Sequence, residues 1–124
     1  MTRILVIDDD SGIRQLLRAT LEDIGCEVVE ADNGLDGLKR LDEGAFSVIV
    51  CDIMMPEMDG LEAIREIRQR HGQTKIVAIS GGGRSVQIRY LKVAEGLGAD
   101  RHLHKPFEPD DLVRTIQDLL KSAA

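Results

Sequence analysis

No apolar run in this 124-residue chain approaches the roughly 20 residues that a membrane-spanning helix needs. The opening MTRILVIDDD meets acid too early for a secretory leader, so a cytoplasmic domain without a membrane anchor is expected. Positive charge is also in deficit. Sixteen Lys and Arg against 22 Asp and Glu leave a net charge of −6. That argues against direct binding to nucleic acid and routes any effect on DNA through another chain. Cysteine is scarce: Cys26 and Cys51 lie in strand-like runs of a chain without export features, the setting of reduced, buried thiols rather than a disulfide framework. The histidines His71, His102 and His104 stand at no metal-ligand spacing from either cysteine. No repeat, low-complexity tract or linker interrupts the chain.

Hydrophobic residues make up 43% and charged residues 31% of the sequence, as in a folded protein, and the length suits one domain over 1–124. Strand-like apolar runs alternate with helical patterns five times: RILVI at 3–7, CEVVEA at 26–31, FSVIVC at 46–51, KIVAI at 75–79 and RHLH at 101–104. Such alternation predicts an α/β fold with a parallel sheet and five helices. Residues 4–7, 46–51 and 76–79 of the first, third and fourth runs are continuously apolar, as expected for central strands covered on both faces; the second and fifth runs are more polar and are expected at the edges.

Helix punctuation agrees. Ser11 is expected to cap a helix with Ile13, Leu16, Leu17, Leu21 and Ile24 on its apolar face, ended by Gly25. Asn33 opens a helix carrying Leu35, Leu38 and Leu41, closed by Gly44. Asp59 with Glu62 resembles a capping box, and Pro109 suits a first helical turn. In the fourth helix Val86, Tyr90, Val93 and Leu97 form one apolar stripe, which leaves Ile88 and Leu91 projecting away from it. Those two are either a wider buried face or a partner-docking patch beside the fifth strand.

Four strands deliver chemically loaded residues at their carboxyl ends: Asp8 with Asp9 and Asp10, Asp52, Ser80 and Lys105. In open parallel sheets the ligand crevice lies outside those ends, so the groups should converge. Two carboxylates about 4 Å apart repel by ~4 kcal/mol at an effective dielectric of ~20, which calls for protonation or a cation. A hard divalent ion answers the repulsion, and Mg²⁺ suits a site that keeps waters and accepts phosphate oxygens. Helix capping accounts for one of the three leading acids but leaves Asp52 unexplained. Beside a metal Asp52 is a carboxylate nucleophile toward phosphorus; otherwise it only forms a turn. Lys105, before Pro106, is either a point charge that grips a phosphoryl oxygen, aimed inward by a cis peptide, or a solvated surface lysine. Ser80 either hydrogen-bonds that phosphoryl group or simply ends its strand.

Taken in order and spacing, RILVIDDD, VIVCDIMMPEMDGLEAI, IVAIS and HKPF resemble the receiver domain of two-component response regulators, from Thr2 to Lys121. The resemblance implies a flavodoxin-like, doubly wound five-stranded parallel sheet of order 2-1-3-4-5 and phosphoryl transfer from a phosphohistidine to an aspartate. It makes Asp52 the phosphoacceptor, Asp9 the direct Mg²⁺ ligand and Asp8 the second acid of the metal site, often acting through water. The Met54 backbone carbonyl would complete the ligands, Ser80 would be the switch hydroxyl and Lys105 the salt-bridge lysine. The implied partners are a histidine kinase or histidine phosphotransferase and a downstream protein effector, with the domain a monomer or a weak phosphorylation-linked dimer.

Two departures stand out. His102 occupies the position three before the lysine where Tyr or Phe is usual, and is read as a weaker, pH-sensitive substitute. Gly81, Gly82 and Gly83 make the loop after Ser80 a hinge that phosphorylation would order. Ser80, Leu91 and His102 are the expected switch and partner surface. No output domain follows Ala124, so either the signal passes through protein contacts or the chain is excised from a larger one. Two alternatives remain: a Mg²⁺ phosphatase of the haloacid-dehalogenase kind, with Asp8 as nucleophile and Asp10 as acid, and a pseudo-receiver that binds partners without phosphorylation.

Overall fold

The computed structural model describes residues 2–54, 60–81 and 84–122, without the side chains of 84–90 and 122. The continuously apolar runs become β1 (Arg3–Ile7), β3 (Val48–Asp52) and β4 (Lys75–Ser80); the polar runs become β2 (Glu27–Ala31) and β5 (Arg101–His104). All pair in parallel in the order β2-β1-β3-β4-β5, so the polar strands do take the edges. The intervening helices are α1 (Ser11–Asp23), α2 (Gly34–Glu43), α3 (Gly60–Arg70), α4 (Arg84–Leu97) and α5 (Pro109–Ser122).

Side chains alternate across the sheet with a period of two, and both faces are covered. Ile4, Val6, Val48, Val50, Val77 and Ile79 pack with Leu17 and Leu21 of α1 and Leu112 and Ile116 of α5. Leu5, Ile7, Ile49, Cys51, Ile76 and Ala78 pack against α2, α3 and α4 through Leu38, Ile64, Ile67, Leu91 and Ala94. Cys26 and Cys51 are buried thiols, as expected. Among the described residues no helix is long and apolar enough to cross a membrane.

Three local expectations are corrected. Asp10, not Ser11, caps α1: its Oδ1 accepts the amides of Gly12 at 2.8 Å and Ile13 at 3.3 Å. A carboxylate there satisfies two orphan donors and favours the positive helix end, which a hydroxyl does less well. Leu16, Ile24 and Leu35 are exposed although their spacing matched the apolar faces, because Leu17 and Leu21 in α1 and Leu38 and Leu41 in α2 already fill the sheet contact. In α4 the buried stripe runs through Leu91 and Ala94, while Val93 is exposed. Asn33 does cap α2, accepting the Asp36 amide at 2.8 Å. Asp59, Gly82, Gly83 and the side chains of Val86, Ile88 and Tyr90 lie outside the described residues.

At the amino ends of the strands, Arg68 at the end of α3 clamps the connections into β4 and β5. Its guanidinium donates to the carbonyls of Gly72, Thr74 and Gly98 and to Asp100 Oδ2 at 3.0 Å, and Asp100 in turn accepts the Ile76 amide at 2.8 Å. Arg68→Ala leaves those acceptors without their shared donor and is expected to cost about 2 kcal/mol, measured by urea denaturation.

Candidate functional site

Register brings the loaded residues to one edge. Ile7 pairs with Cys51, Asp52 with Ile79 and Ser80 with His104, so β1, β3, β4 and β5 stop nearly level. Backbone bonds continue the ladder into the loops: Asp8 N donates to Ala31 O at 3.1 Å, Ile53 N to Ile79 O at 3.0 Å and Lys105 N to Ser80 O at 2.7 Å. Each functional residue is therefore held by the strand beside it. Lys105 precedes a cis peptide to Pro106.

Asp8 is fully buried, Asp52 is 3% exposed and Ser80 is fully buried, whereas Asp9 is exposed. Lys105 Nζ lies 3.0 Å from Asp8 Oδ2 and 3.1 Å from Asp52 Oδ2. Asp8 Oδ1 accepts the Asp10 amide and Asp52 Oδ1 the Met54 amide, both at 2.9 Å. One carboxylate oxygen from each of Asp8, Asp9 and Asp52 falls within 4.8 Å of the others. The Ser80 hydroxyl donates to Gly81 O at 3.2 Å.

The charges do not balance locally. Burial, with the charge of Asp52 adding to it, pushes the Asp8 pKa from 3.8 up to about 6, against the opposing pull of the Asp10 amide and Lys105. For Lys105, burial acts to lower the pKa, but the charge of Asp52 and the contacts with Asp8 outweigh it and raise the value. The Lys105 ammonium thus meets two buried carboxylates, with the exposed Asp9 carboxylate close to both of them. Asp8 Oδ2 is buried without an aligned hydrogen bond even though Lys105 stands beside it. An all-oxygen set with one such unsatisfied atom fits a hard divalent cation and suits neither a soft metal nor a neutral ligand.

The sequence-predicted residues Asp8, Asp9, Asp52, Ser80 and Lys105 all come together at this edge. Leu91 does not belong with them: it is 2% exposed and packs into the core with Ala94, so it is withdrawn as a surface residue. Of the two readings of Leu91 the wider buried face holds, and Leu97 of the expected stripe packs against the same core. His102 is half-buried on β5, its Nδ1 2.9 Å from Glu95 Oε2 of α4 and its ring edge-on to His104 at 5.7 Å. Sequence reasoning missed Arg14, whose Nη1 donates to the Asp8 carbonyl at 2.7 Å, and Glu30, which Arg14 and Arg18 both hold. Burial acts to raise the Glu30 pKa, but Arg18 and then Arg14 outweigh it and bring it below the usual carboxylate value. The available signal was the pair of arginines four apart on α1, facing an acid in the second strand.

Comparison with known proteins accounts for this arrangement. Residues 4–117 match the family model of the response regulator receiver domain. The chain is 33% identical over 123 residues to the transcriptional regulatory protein ResD of Bacillus subtilis and 34% identical over 124 residues to the CpxR homolog of Haemophilus influenzae. It covers 99% and 100% of itself in those matches but spans about half the length of these relatives, 50% and 52%. The crystal structure of the chemotaxis protein CheY4 of Vibrio cholerae is similar with a TM-score of 0.87 and 32% identity, over 96% of this chain and 98% of that one. The chain belongs to the response regulator receiver domain family, and its class of function is that of a two-component signalling domain rather than a classical enzyme.

Proposed function

We propose that Asp52 accepts a phosphoryl group from a phosphohistidine of a histidine kinase or histidine phosphotransferase in the cytoplasm, and that the resulting acyl phosphate is read by a downstream protein effector. The observation that carries this reading is the convergence of the Asp8, Asp9 and Asp52 carboxylates, two of which, Asp8 and Asp52, also meet the Lys105 ammonium. An Asp52 oxygen forms the bond to phosphorus as the bond from phosphorus to the donor imidazole breaks, and that imidazole leaves with the electron pair. A carboxylate nucleophile needs no general base, so the work of the site is positioning and charge neutralisation.

The Met54 amide fixes one Asp52 oxygen and Lys105 faces the other. Once the phosphoryl group is attached, Lys105 can turn its charge toward a phosphoryl oxygen, and Ser80 can exchange its bond to the Gly81 carbonyl for a second one. Asp9, Asp52, the Met54 carbonyl and, through water, Asp8 are the groups to hold Mg²⁺, which when bound neutralises charge on the phosphoryl oxygens. An apolar cavity of about 400 Å³, lined by Ile13, Leu16, Gly81, Lys105, Pro106 and Phe107, opens beside the lysine and offers the donor protein a seat. Ser80 moving inward would alter the α4–β5 region, where His102 stands in the usual aromatic position and meets Glu95.

Asp10, the acid of the phosphatase alternative, gives its Oδ1 to the α1 cap. With Mg²⁺ and acetyl phosphate, the wild type is expected to gain one phosphoryl group by intact mass and Asp52→Asn none. Labelling that survives in Asp52→Asn and vanishes in Asp8→Asn would reverse the assignment.

A further inference from the structure

A second polar bracket ties into the backbone of the acidic turn itself. Arg14 occupies the first turn of α1, its amide bonded to the Asp10 carbonyl at 3.0 Å. Long helical side chains lean toward the helix N-terminus, so the guanidinium reaches back over the turn that carries Asp8, Asp9 and Asp10. There Nη1 donates to the Asp8 carbonyl at 2.7 Å and Nε to Glu30 Oε1 at 3.1 Å. Glu30 is placed by the sheet, paired in register with Val6, and its other oxygen accepts Arg18 Nε at 2.6 Å. The Arg14 side chain is 18% exposed and that of Glu30 26%, so the bracket is half-buried.

The bond to the Asp8 carbonyl matters because a peptide unit is planar: fixing that oxygen fixes the Asp9 nitrogen and the direction in which the Asp9 Cα leaves. The Asp8 amide is already tied to Ala31 O, and the Asp10 amide to Asp8 Oδ1. With Arg14 in place the acidic turn is held at three backbone groups, the Asp8 amide, the Asp8 carbonyl and the Asp10 amide, which flank Asp9. We propose that Arg14, anchored by Glu30, is a positioning residue that presets the Asp8–Asp9 turn for a divalent cation. This inference rests on the reading of the acid cluster as a Mg²⁺ site.

Charge and positioning predict opposite signs. Removing a cationic side chain beside a cation site should tighten Mg²⁺ binding if charge alone counts. Losing the bracket should weaken it, by about 10-fold or more, the scale on which groups orienting metal ligands act. Arg14→Lys separates the two further, since it keeps the charge but cannot fork between Glu30 and a carbonyl. Mg²⁺ affinity is measured by calorimetry on the wild type, Arg14→Ala and Arg14→Lys, with Arg68→Ala as a variant destabilised at the opposite end of the sheet. Hydrogen exchange of the Asp10 amide is followed in metal-free protein.

The expected result is weaker binding and faster Asp10 exchange in both Arg14 variants, with wild-type affinity in Arg68→Ala. Equal or tighter binding in Arg14→Ala, affinity restored by Arg14→Lys, or an equal loss in Arg68→Ala would overturn the inference. A wild type that takes up no Mg²⁺ would instead remove the reading of the acid cluster itself.

Discussion

Gly60→Ala is expected to lower the thermal unfolding midpoint by about 10 °C or more, corresponding to a loss of about 3 kcal/mol or beyond in a domain of this size. A Cβ at Gly60 would stand 2.1 Å from the Asp52 carbonyl oxygen and 2.2 Å from the Ile53 Cα. Both are backbone atoms at the end of a fully buried central strand, so no rotamer change relieves the collision and α3 itself must retreat. Gly37 makes a useful contrast, because its added Cβ would meet side-chain atoms of Ile7, Cγ1 at 2.9 Å among them, and no backbone atom. The consequence of Gly60→Ala extends to the site: the displaced chain is that of Asp52, whose carboxylate meets Lys105 at 3.1 Å. Phosphorylation by acetyl phosphate should therefore fall with stability. Gly96→Ala is the matched control. That glycine is exposed within α4, nothing lies within 4 Å of its added Cβ, and the change should stabilise by about 0.5–1 kcal/mol through helix propensity. A Gly60→Ala protein that melts with the wild type would show that α3 has room to shift from β3 without loss of stability.

The parts of this architecture legible in the sequence were those with a strong one-dimensional signal. Continuous apolarity in RILVI, FSVIVC and KIVAI marks burial on two faces, and their strands do form the middle of the sheet. The acids were legible because a charged residue directly after an apolar strand has few structural uses, and the lysine because it ends the fifth run before Pro106; parallel topology then sends all strand ends to one edge. What failed depended on how neighbours pack. In α4 the apolar residues do not form a single stripe, and which side meets the sheet is decided by the fit of Leu91 and Ala94 against β4 and α3, not by spacing. Ser11 lost the cap to Asp10 because the two stand next to each other and only the backbone angles, φ −89° and ψ 112° at Asp10, separate the candidates. Arg14 and Glu30 were invisible for a different reason. Their meeting joins residues 16 apart across a helix and an edge strand, and each alone reads as an ordinary surface charge.

Lys105→Met should destabilise the metal-free domain by about 3–5 kcal/mol at neutral pH, because it strips an ammonium from two buried carboxylates while keeping much of the side-chain volume. The pH dependence follows from Asp8. Its folded pKa of about 6 lies above the ordinary 3.8, so between those values the folded state binds more protons than the unfolded one. Stability contributed by protonated Asp8 is therefore present at low pH and declines as pH rises from about 4 to about 6 in the metal-free wild type. Without Lys105, burial and the repulsion from Asp52 act unopposed, which raises the Asp8 pKa further and carries the decline to higher pH. The variant should thus approach the wild type near pH 5 and diverge from it near pH 8, in urea titrations run without divalent ions. Mg²⁺ should recover part of the loss at pH 8, since any ligand that binds only the folded state stabilises it by mass action. A constant gap between the two proteins across this range would mean that Lys105 stabilises by packing its methylenes against Gly81 and not by neutralising the acids. Recovery with Mg²⁺ but no convergence at low pH would assign the repulsion to Asp9 and Asp52 in place of Asp8.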